Sequence, residues 1–192
     1  MPRLAPDPDV VTPRLLLRLL GRATVAACMA GDAATAAQAL GVPIPAELLS
    51  PSSGLRYTAD ALDHDPGYLP WSTRAILLRQ PATLVGYVRF HERPDPSRPH
   101  PFGGHAAELG YAVFPAHRRQ GYAREAAAAM MHHAQVAHDV HRFVASIGPD
   151  NTPSLRLAAT LGFTRVGEQI DPIDGLEHVF LRVAPSPRAA GP

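Results

Sequence analysis

The residues with the clearest chemical potential form the short run Arg118–Ala123, whose sequence is RRQGYA. It lies between a segment with strand character and one with helix character. The first turn of a helix presents backbone N–H groups without acceptors and carries a partial positive charge. Gly121 lets the backbone come close to a ligand, and Arg118 and Arg119 add cationic charge. The run therefore predicts a cradle for an anion the size of a pyrophosphate.

Two other phosphate-binding motifs are absent from the sequence. The Gly-Lys-Ser/Thr ending of a P-loop is missing, and no GxGxxG stretch occurs. The predicted cradle is therefore neither a Walker loop nor a dinucleotide fingerprint.

The elements that position the cradle follow from the hydrophobic periodicity of the C-terminal half, which has the order β-loop-α-β-α-β-β. Strand Ala106–Phe114 precedes the cradle, and helix Arg124–His138 follows it. Two strands joined by a helix are expected to be parallel. The other elements predicted for this half are strand His141–Ile147, helix Pro153–Leu161 with Thr152 as its cap, and strands Phe163–Ile170 and Glu177–Val183.

The N-terminal half is predicted to contain a strand, helices and a hairpin. These are strand Arg14–Leu19, a helix over 23–40 interrupted at Gly31 and Asp32, a helical piece over 52–63, and a hairpin of Ser72–Arg79 with Thr83–His91. Proline-rich composition predicts disorder at both ends, over 1–12 and 184–192. Between them we expect a single domain, 13–183.

Composition excludes several classes of function. The 18 cationic side chains, all arginine, nearly cancel 17 acidic ones, and the net charge is +1. This argues against a protein that binds nucleic acid through bulk electrostatics. No apolar stretch reaches the roughly 18 residues of a membrane span, so we expect a cytoplasmic protein without a membrane partner. Cys28 lies in an alanine-rich run, where a buried apolar role is expected.

Four ordered motifs resemble those of the GCN5-related N-acetyltransferases (GNAT), in the branch that includes the ribosomal-protein N-terminal acetyltransferases of the RimJ/RimL type. They extend over roughly residues 12–183. The motifs are Thr12-x-Arg14-Leu15-x-Leu17-Arg18, the strand Glu108–Val113, Arg118-x-x-Gly121-x-Ala123, and Asn151-Thr152-Pro153-Ser154 followed by Leu161-Gly162-Phe163.

The resemblance implies an α/β (α+β) fold with a mixed, twisted sheet of six to seven strands, flanked by helices, whose central parallel strands splay apart. Acetyl-CoA, the co-substrate, sits in that gap, and no metal is implied. The resemblance assigns the pantetheine arm to backbone groups of Tyr111, Ala112 and Val113. It assigns the pyrophosphate to the loop residues Arg118, Arg119, Gln120, Gly121, Tyr122 and Ala123. It also implies a hydrogen bond from Asn151 to the cofactor arm and protonation of the leaving thiolate by Ser154.

Two positions depart from the family's pattern. Ala123 replaces a commoner glycine, which the family tolerates. The frequent tyrosine acid is missing from the helix that begins near Pro153. Ser154 or a water must then supply the proton, or the thiolate leaves without one.

Glu108 is the first candidate for the general base that the acceptor amine needs. Strand alternation puts it on one face with Gly110 and Ala112, where a carboxylate is costly without a task or a partner. A salt bridge to Arg89 on a neighbouring strand remains the alternative. His105 and His178 are weaker candidates for the base.

The ten histidines do not predict a metal site. His132 and His133 are adjacent and therefore point about 100° apart on a helix, and HExxH is absent. Three functions stay open: N-acetylation of a small-molecule amine, N-terminal acetylation of a protein, and non-catalytic binding of acyl-CoA. Dimers are common among the relatives, but no sequence feature locates an interface for a homodimer.

Overall fold

Residues 8–50 and 54–185 are described by a computed structural model. They contain eight β-strands and six α-helices, so the predicted mixed α/β class is confirmed. The chain divides into two compact units. The first consists of the residues up to Glu92 together with Tyr111–Met130, and the second consists of Arg93–Gly110 together with the residues from Met131 onward.

The first unit is built on four antiparallel strands in chain order. They are β1 (Val10–Val11), β2 (Leu15–Leu19), β3 (Arg74–Arg79) and β4 (Ala82–Phe90). Leucine and β-branched residues dominate β2, β3 and β4, and strands of this composition pack well on a half-buried pleated surface. The predicted hairpin is therefore present.

Four helices cover one part of this sheet: α1 (Arg22–Met29), α2 (Ala33–Leu40), α3 (Ala46–Leu49) and α4 (Leu55–His64). The predicted interruption is real, because Asp32 caps α2 by accepting a hydrogen bond from the Thr35 amide. Gly41 ends α2 in a left-handed conformation with φ 73°. Cys28 is buried in the apolar cluster under these helices, as the alanine-rich run predicts.

Strand β5 (Ala107–Val113) passes from the second unit into the first. Within the first unit, the Phe114 amide donates to the Val85 carbonyl at 2.9 Å. The backbones come so close that a Cβ on Gly86 would overlap the Ala112 carbonyl oxygen and lie 3.0 Å from Val113 Cα. Gly86 is therefore the residue that lets β4 approach this end of β5.

Helix α5 (Tyr122–His138) follows the cradle and begins two residues earlier than predicted. In the first unit its buried face consists of Ala126, Ala127 and Met130. Two small side chains on one face let the helix axis lie close to its neighbours, as the alanine-rich sequence predicts.

The second unit contains the parallel pair that the β-α-β order predicts. Strand β5 pairs with β6 (Arg142–Ile147) at two positions, Ala107 with Phe143 and Glu108 with Val144. The pairing stops there, although Leu109 and Gly110 continue β5 within the same unit. The parallel strands therefore splay, as the family resemblance implies.

The rest of this sheet is antiparallel. Strand β6 pairs with β8 (Gly175–Val183), and β8 pairs with β7 (Thr164–Asp171). Phe102 covers one face, where Ala106, Val144 and Val179 form a buried cluster. A Cβ on Gly167 would run into the Phe102 ring, so this glycine makes room for the loop to lie on the sheet.

Helix α6 (Thr152–Thr160) corrects one sequence prediction. Asn151, not Thr152, is the cap, because its side-chain oxygen accepts from the Ser154 amide at 3.2 Å. Thr152 becomes the first helical residue. Pro153 still falls in the first turn, where its missing N–H costs nothing.

The strand count exceeds the six to seven predicted because β1 adds a short edge strand. Val10 pairs with Leu17 and Val11 with Leu16, inside the segment 1–12 for which composition predicts disorder. The remaining predictions for residues 1–7, 52–53 and 186–192 lie outside the described residues. The single domain 13–183 stays a prediction. No helix in the described part of the chain is long and apolar enough to cross a membrane.

Gly86→Ala is expected to destabilise the first unit, because the new methyl group must displace the backbone of Ala112. Overpacking of this kind lowers the free energy of unfolding by about 1–3 kcal/mol. Urea denaturation measures the change. Gly148→Ala is the matched control, since a Cβ there meets no atom within 4 Å, and equal stability losses in the two variants would contradict the close approach.

Candidate active site

The cradle predicted from the sequence lies between β5 and α5, in the first unit. After the 3₁₀ turn Pro115–His117 the chain passes through two left-handed residues, Arg119 with φ 61° and Gly121 with φ 80°. A non-glycine residue in this region is uncommon. The loop backbone is therefore bent twice within three residues before the helix begins.

This bend leaves consecutive backbone amides without an acceptor. No hydrogen bond to a described residue is made by the N–H groups of residues 119–124. The first amide that has a partner is that of Glu125, which donates to the Gly121 carbonyl at 3.1 Å. Such a row of N–H groups at a helix start is the geometry that binds phosphate groups.

Arg118 is only partly available to a ligand at the cradle. Its Nε donates to the Val113 carbonyl at 3.0 Å, which turns the side chain back along the strand end. The two terminal nitrogens of its guanidinium make no hydrogen bond to the described residues. Arg118 can therefore offer an anion two donors while its stem is fixed.

Glu125 connects the cradle to the start of β2. Its Oε2 accepts from Arg14 Nε at 2.6 Å, while its Oε1 accepts from the Arg14 amide at 3.0 Å and from Thr12 Oγ1 at 2.6 Å. Arg14 also donates through NH1 to the Gln120 carbonyl at 2.9 Å. Its guanidinium lies 4.9 Å from the centre of the Tyr122 ring. Sequence patterns did not predict this network.

The same contacts set the pKa of the Glu125 carboxyl. Burial alone raises that pKa, but the hydrogen bonds from Thr12 and Arg14 and the Arg14 charge outweigh it, so the pKa lies below its usual range. The carboxylate is therefore ionised beside the cradle at neutral pH.

Glu108, the candidate base, lies at the start of β5 in the second unit, and a polar neighbour there is His100. The distance between Glu108 Oε2 and His100 Nε2 is 3.5 Å, and the two side chains are 17% and 16% exposed. Arg89, the partner that the sequence suggests, donates to the Gly54 carbonyl and stacks on the Tyr57 ring within the first unit.

His100 is oriented by its own loop. Its Nδ1 accepts a hydrogen bond from the Phe102 amide at 3.2 Å, so the proton of the neutral ring is on Nε2, the nitrogen that faces Glu108. The sequence analysis missed His100 as a partner of Glu108. The Pro-, Arg- and His-rich composition of this loop gave no sign of the contact.

A second carboxyl of this unit was also missed. Burial raises the pKa of Glu177, and the like charges of Asp171, Glu108 and Asp174 raise it further, against a hydrogen bond from Gln169. Gln169 Nε2 donates to Glu177 Oε2 at 3.0 Å and also contacts Ser146 Oγ at 3.1 Å. Glu177 is thus a second carboxyl in this unit, and its raised pKa makes it a stronger base than an ordinary glutamate.

Asn151 and Ser154 lie together at the start of α6. The Asn151 oxygen is taken by the Ser154 amide, which leaves its NH₂ group as the donor for another partner. Ser154 Oγ makes no hydrogen bond to the described residues. Both side chains keep the donor that their predicted roles require.

The structure also bears on His178, on Cys28 and on a metal site. His178 Nε2 lies 3.6 Å from a carboxylate oxygen of Glu168. Burial raises the pKa of the Cys28 thiol, which disfavours a nucleophilic thiolate. Within residues 8–50 and 54–185, no group of three or more His, Cys, Asp or Glu side chains could hold a metal ion.

The family profile described as acetyltransferase (GNAT) domain matches residues 14–164, which is most of the chain. The chain belongs to the GNAT family. This confirms the resemblance on which the predicted roles rest.

Two curated GNAT relatives come from Bacillus subtilis strain 168. YnaD is 32% identical over 92 residues, which are 48% of this chain and 49% of YnaD. YoaA is 27% identical over 163 residues, 83% of this chain and 85% of YoaA. The first match therefore spans only about half of the relative's length. Both are named as uncharacterized N-acetyltransferases, and these names support the predicted enzyme class.

Solved GNAT structures share the fold. The Salmonella typhimurium acetyltransferase that modifies the N-terminal serine of ribosomal protein L7/L12 has a TM-score of 0.62 at 19% identity, with 93% of this chain and 100% of that chain covered. A ribosomal L7/L12 alpha-N-protein acetyltransferase in complex with coenzyme A has a TM-score of 0.61 at 20% identity, covering 92% and 98%. At these identities the likeness shows the fold alone.

The Glu125 contacts predict a pH-dependent part of the stability. A carboxyl whose pKa is lowered in the folded state stabilises the fold above its unfolded pKa, and this contribution is lost as pH falls through the folded value. Wild type should therefore lose stability faster than Glu125→Gln as pH falls below about 4.3, the ordinary glutamate pKa. Thermal melts between acid and neutral pH measure this, and parallel curves for the two proteins would contradict it.

Proposed function

We propose that this protein transfers the acetyl group of acetyl-CoA to the amine of a small-molecule acceptor. The observation that carries the cofactor part of the proposal is the row of backbone amides over 119–124, at the start of α5, that have no acceptor among the described residues. It coincides with the family's Arg118-x-x-Gly121-x-Ala123 motif. A cofactor with a pyrophosphate supplies the acceptors that these amides lack.

The cofactor is held, in this proposal, by the groups that the family resemblance assigns. The amides of Arg119, Gln120, Gly121, Tyr122 and Ala123 bind the pyrophosphate, with the terminal nitrogens of Arg118. Backbone groups of Tyr111, Ala112 and Val113 pair with the pantetheine arm. The NH₂ group of Asn151 donates to the arm, since its oxygen caps α6.

The chemistry requires the acceptor nitrogen to lose two protons, one to a base and one that ends on the leaving sulfur. An alkylammonium has a pKa of about 10 and is a poor nucleophile at neutral pH. Glu108 accepts the ammonium proton, the amine nitrogen forms the new bond to the acetyl carbon, and the bond from that carbon to sulfur breaks. After the attack the nitrogen gives up its second proton to Ser154 Oγ, while Ser154 Oγ gives its own proton to the sulfur, so the hydroxyl is restored and the thiol leaves neutral. A positioned base contributes roughly 10²–10⁴-fold to such a reaction.

The alternative acceptor is a protein N terminus. The ribosomal-protein acetyltransferases among the structural neighbours favour it. The carboxyls of Glu108, Glu177, Asp171 and Asp174 suit any cationic amine, so charge does not distinguish the two acceptors. A peptide needs an open groove, whereas a small amine needs a closed pocket.

A thiol-release screen with a panel of amines and N-terminal peptides discriminates between the two acceptors. If no acceptor gives thiol release, non-catalytic binding of acyl-CoA is the function that is left.

Gly121→Glu should abolish the thermal stabilisation that CoA or acetyl-CoA gives to the wild type. The new side chain places bulk and negative charge in the cradle. A ligand of the native state raises the melting temperature, so differential scanning fluorimetry with saturating CoA measures the effect.

Gly41→Glu is the matched control for this variant. Gly41 has φ 73° and open space around it, so glutamate there meets backbone strain similar to that at Gly121. Gly41 lies at the C-terminal end of α2 and is not part of the cradle. It should keep the full CoA shift at a lowered melting temperature. A normal shift in Gly121→Glu, or no shift in wild type, would contradict the proposed cofactor site.

Glu108→Gln should lower turnover of an accepted amine at least about tenfold, because the amide cannot take the proton. Thiol release at saturating acetyl-CoA measures it. Glu177→Gln tests the second carboxyl, and exposed Glu47→Gln in α3 serves as the control. Turnover of Glu108→Gln within about threefold of wild type would show that Glu108 is not the base.

A further inference from the structure

The Thr12-x-Arg14 pair of the first sequence motif carries no reacting group, yet it contacts the loop of the proposed cofactor site. All the contacts lie within the first unit. Arg14 is separated from Glu125 by 111 residues along the chain, and the two meet through the hydrogen bonds of Arg14 Nε and the Arg14 amide. We propose that Arg14 is a positioning residue for the cofactor's pyrophosphate, acting through Glu125 and the loop backbone. The inference rests on the proposed function.

Glu125 creates an electrostatic problem at the cradle. A carboxylate in the first turn of α5 stabilises the helix because it faces the positive end of the helix dipole. The same charge repels a pyrophosphate that binds at that helix end. A counter-charge must therefore offset Glu125 without occupying the amides over 119–124.

Arg14 meets both requirements. Its Nε lies 2.6 Å from Glu125 Oε2, so its charge is next to the carboxylate. Its NH1 donates to the Gln120 carbonyl, which leaves the Gln120 amide open. NH2 lies 3.4 Å from the position of a Cβ on Gly121. One guanidinium thus compensates the carboxylate and supports the bend of the loop.

The segment that carries Arg14 is itself fixed. Thr12 Oγ1 donates to Glu125 Oε1 and accepts from the Leu15 amide at 2.9 Å. Arg79 NH1 donates to the Thr12 carbonyl at 3.1 Å. Arg14 therefore approaches the loop from an anchored strand end, and its side chain needs little further ordering to reach the carboxylate.

The small contribution expected from the Arg14–Glu125 ion pair to the free energy of unfolding argues for a role in positioning over a role in stability. The Arg14 side chain is 49% exposed, and exposed ion pairs contribute about 0–1 kcal/mol to stability. A pyrophosphate that binds at the same helix end carries more than one negative charge and is more sensitive to an uncompensated carboxylate. Loss of Arg14 should therefore change cofactor affinity more than it changes folding.

The test measures CoA affinity by isothermal titration calorimetry for Arg14→Ala, Glu125→Gln and the double variant, with the melting temperature of each protein without CoA. Arg14→Ala should bind CoA about tenfold more weakly, because Glu125 is then uncompensated. The double variant should recover to within about threefold of wild type, because the repelling charge is gone as well. A purely structural role would not produce this recovery.

Arg22→Ala is the matched control, because the Arg22 side chain is equally exposed and forms an ion pair of the same length. Its partner is Asp63, at 2.6 Å, and this pair does not involve the loop. It should bind CoA like wild type. If Arg14→Ala does not fold, Arg14→Lys and Arg14→Gln replace it. Lysine keeps the positive charge but loses the second donor, which reaches the Gln120 carbonyl. CoA affinity should therefore fall by less in Arg14→Lys than in Arg14→Gln.

The outcomes separate the two claims. If wild type does not bind CoA, the proposed function fails and this inference fails with it. If wild type binds CoA and Arg14→Ala binds it equally well, only the inference is overturned. If Arg14→Ala binds CoA weakly and the double variant does not recover the affinity, Arg14 does not act through Glu125. The proposal is then overturned in that form.

Discussion

The start of α5 presents backbone amides that none of the described residues satisfies. Buried or exposed, an N–H group without a protein acceptor needs water or a ligand. Here the N–H groups of residues 119–124 are in this state, because two left-handed residues bend the loop before the helix begins. The elements around the loop serve to keep that bend: β5 brings the chain to it, Gly86 lets β4 lie against β5, and α5 carries it away.

The second unit shows how a sheet can expose backbone groups where two of its strands diverge. The parallel pair of β5 and β6 has only two paired positions before the strands diverge. In a parallel sheet both strands normally continue the ladder, so a divergence leaves main-chain donors and acceptors for another partner. The pantetheine arm of the family's cofactor is extended and carries amide groups, which is the kind of partner that such a strand end can bind. Glu108 sits at the last paired position and has His100 beside it.

Local sequence signals predicted the order of strands and helices and the position of the cradle loop, because they depend on short stretches of chain, whereas the splayed mixed sheet was implied by the family resemblance. Glycine and proline mark the ends of α2 and the first turn of α6, and hydrophobic periodicity gives the strands and helices of the C-terminal half in order. The errors were local too: two adjacent residues, Asn151 and Thr152, are both good caps, and only the bond to the Ser154 amide decides between them. Long-range contacts could not be predicted. Arg14 with Glu125, His100 with Glu108, and Glu177 with Gln169 each depend on which strands and loops become neighbours in the folded chain.

The central claim is that the amides at the start of α5 bind the pyrophosphate of coenzyme A. A crystal structure of the protein grown with saturating CoA tests this most directly. We expect pyrophosphate oxygens about 2.7–3.2 Å from the backbone nitrogens of residues 119–123, with Arg14 still bound to Glu125. CoA bound away from this loop, or no bound CoA at saturation, would contradict it.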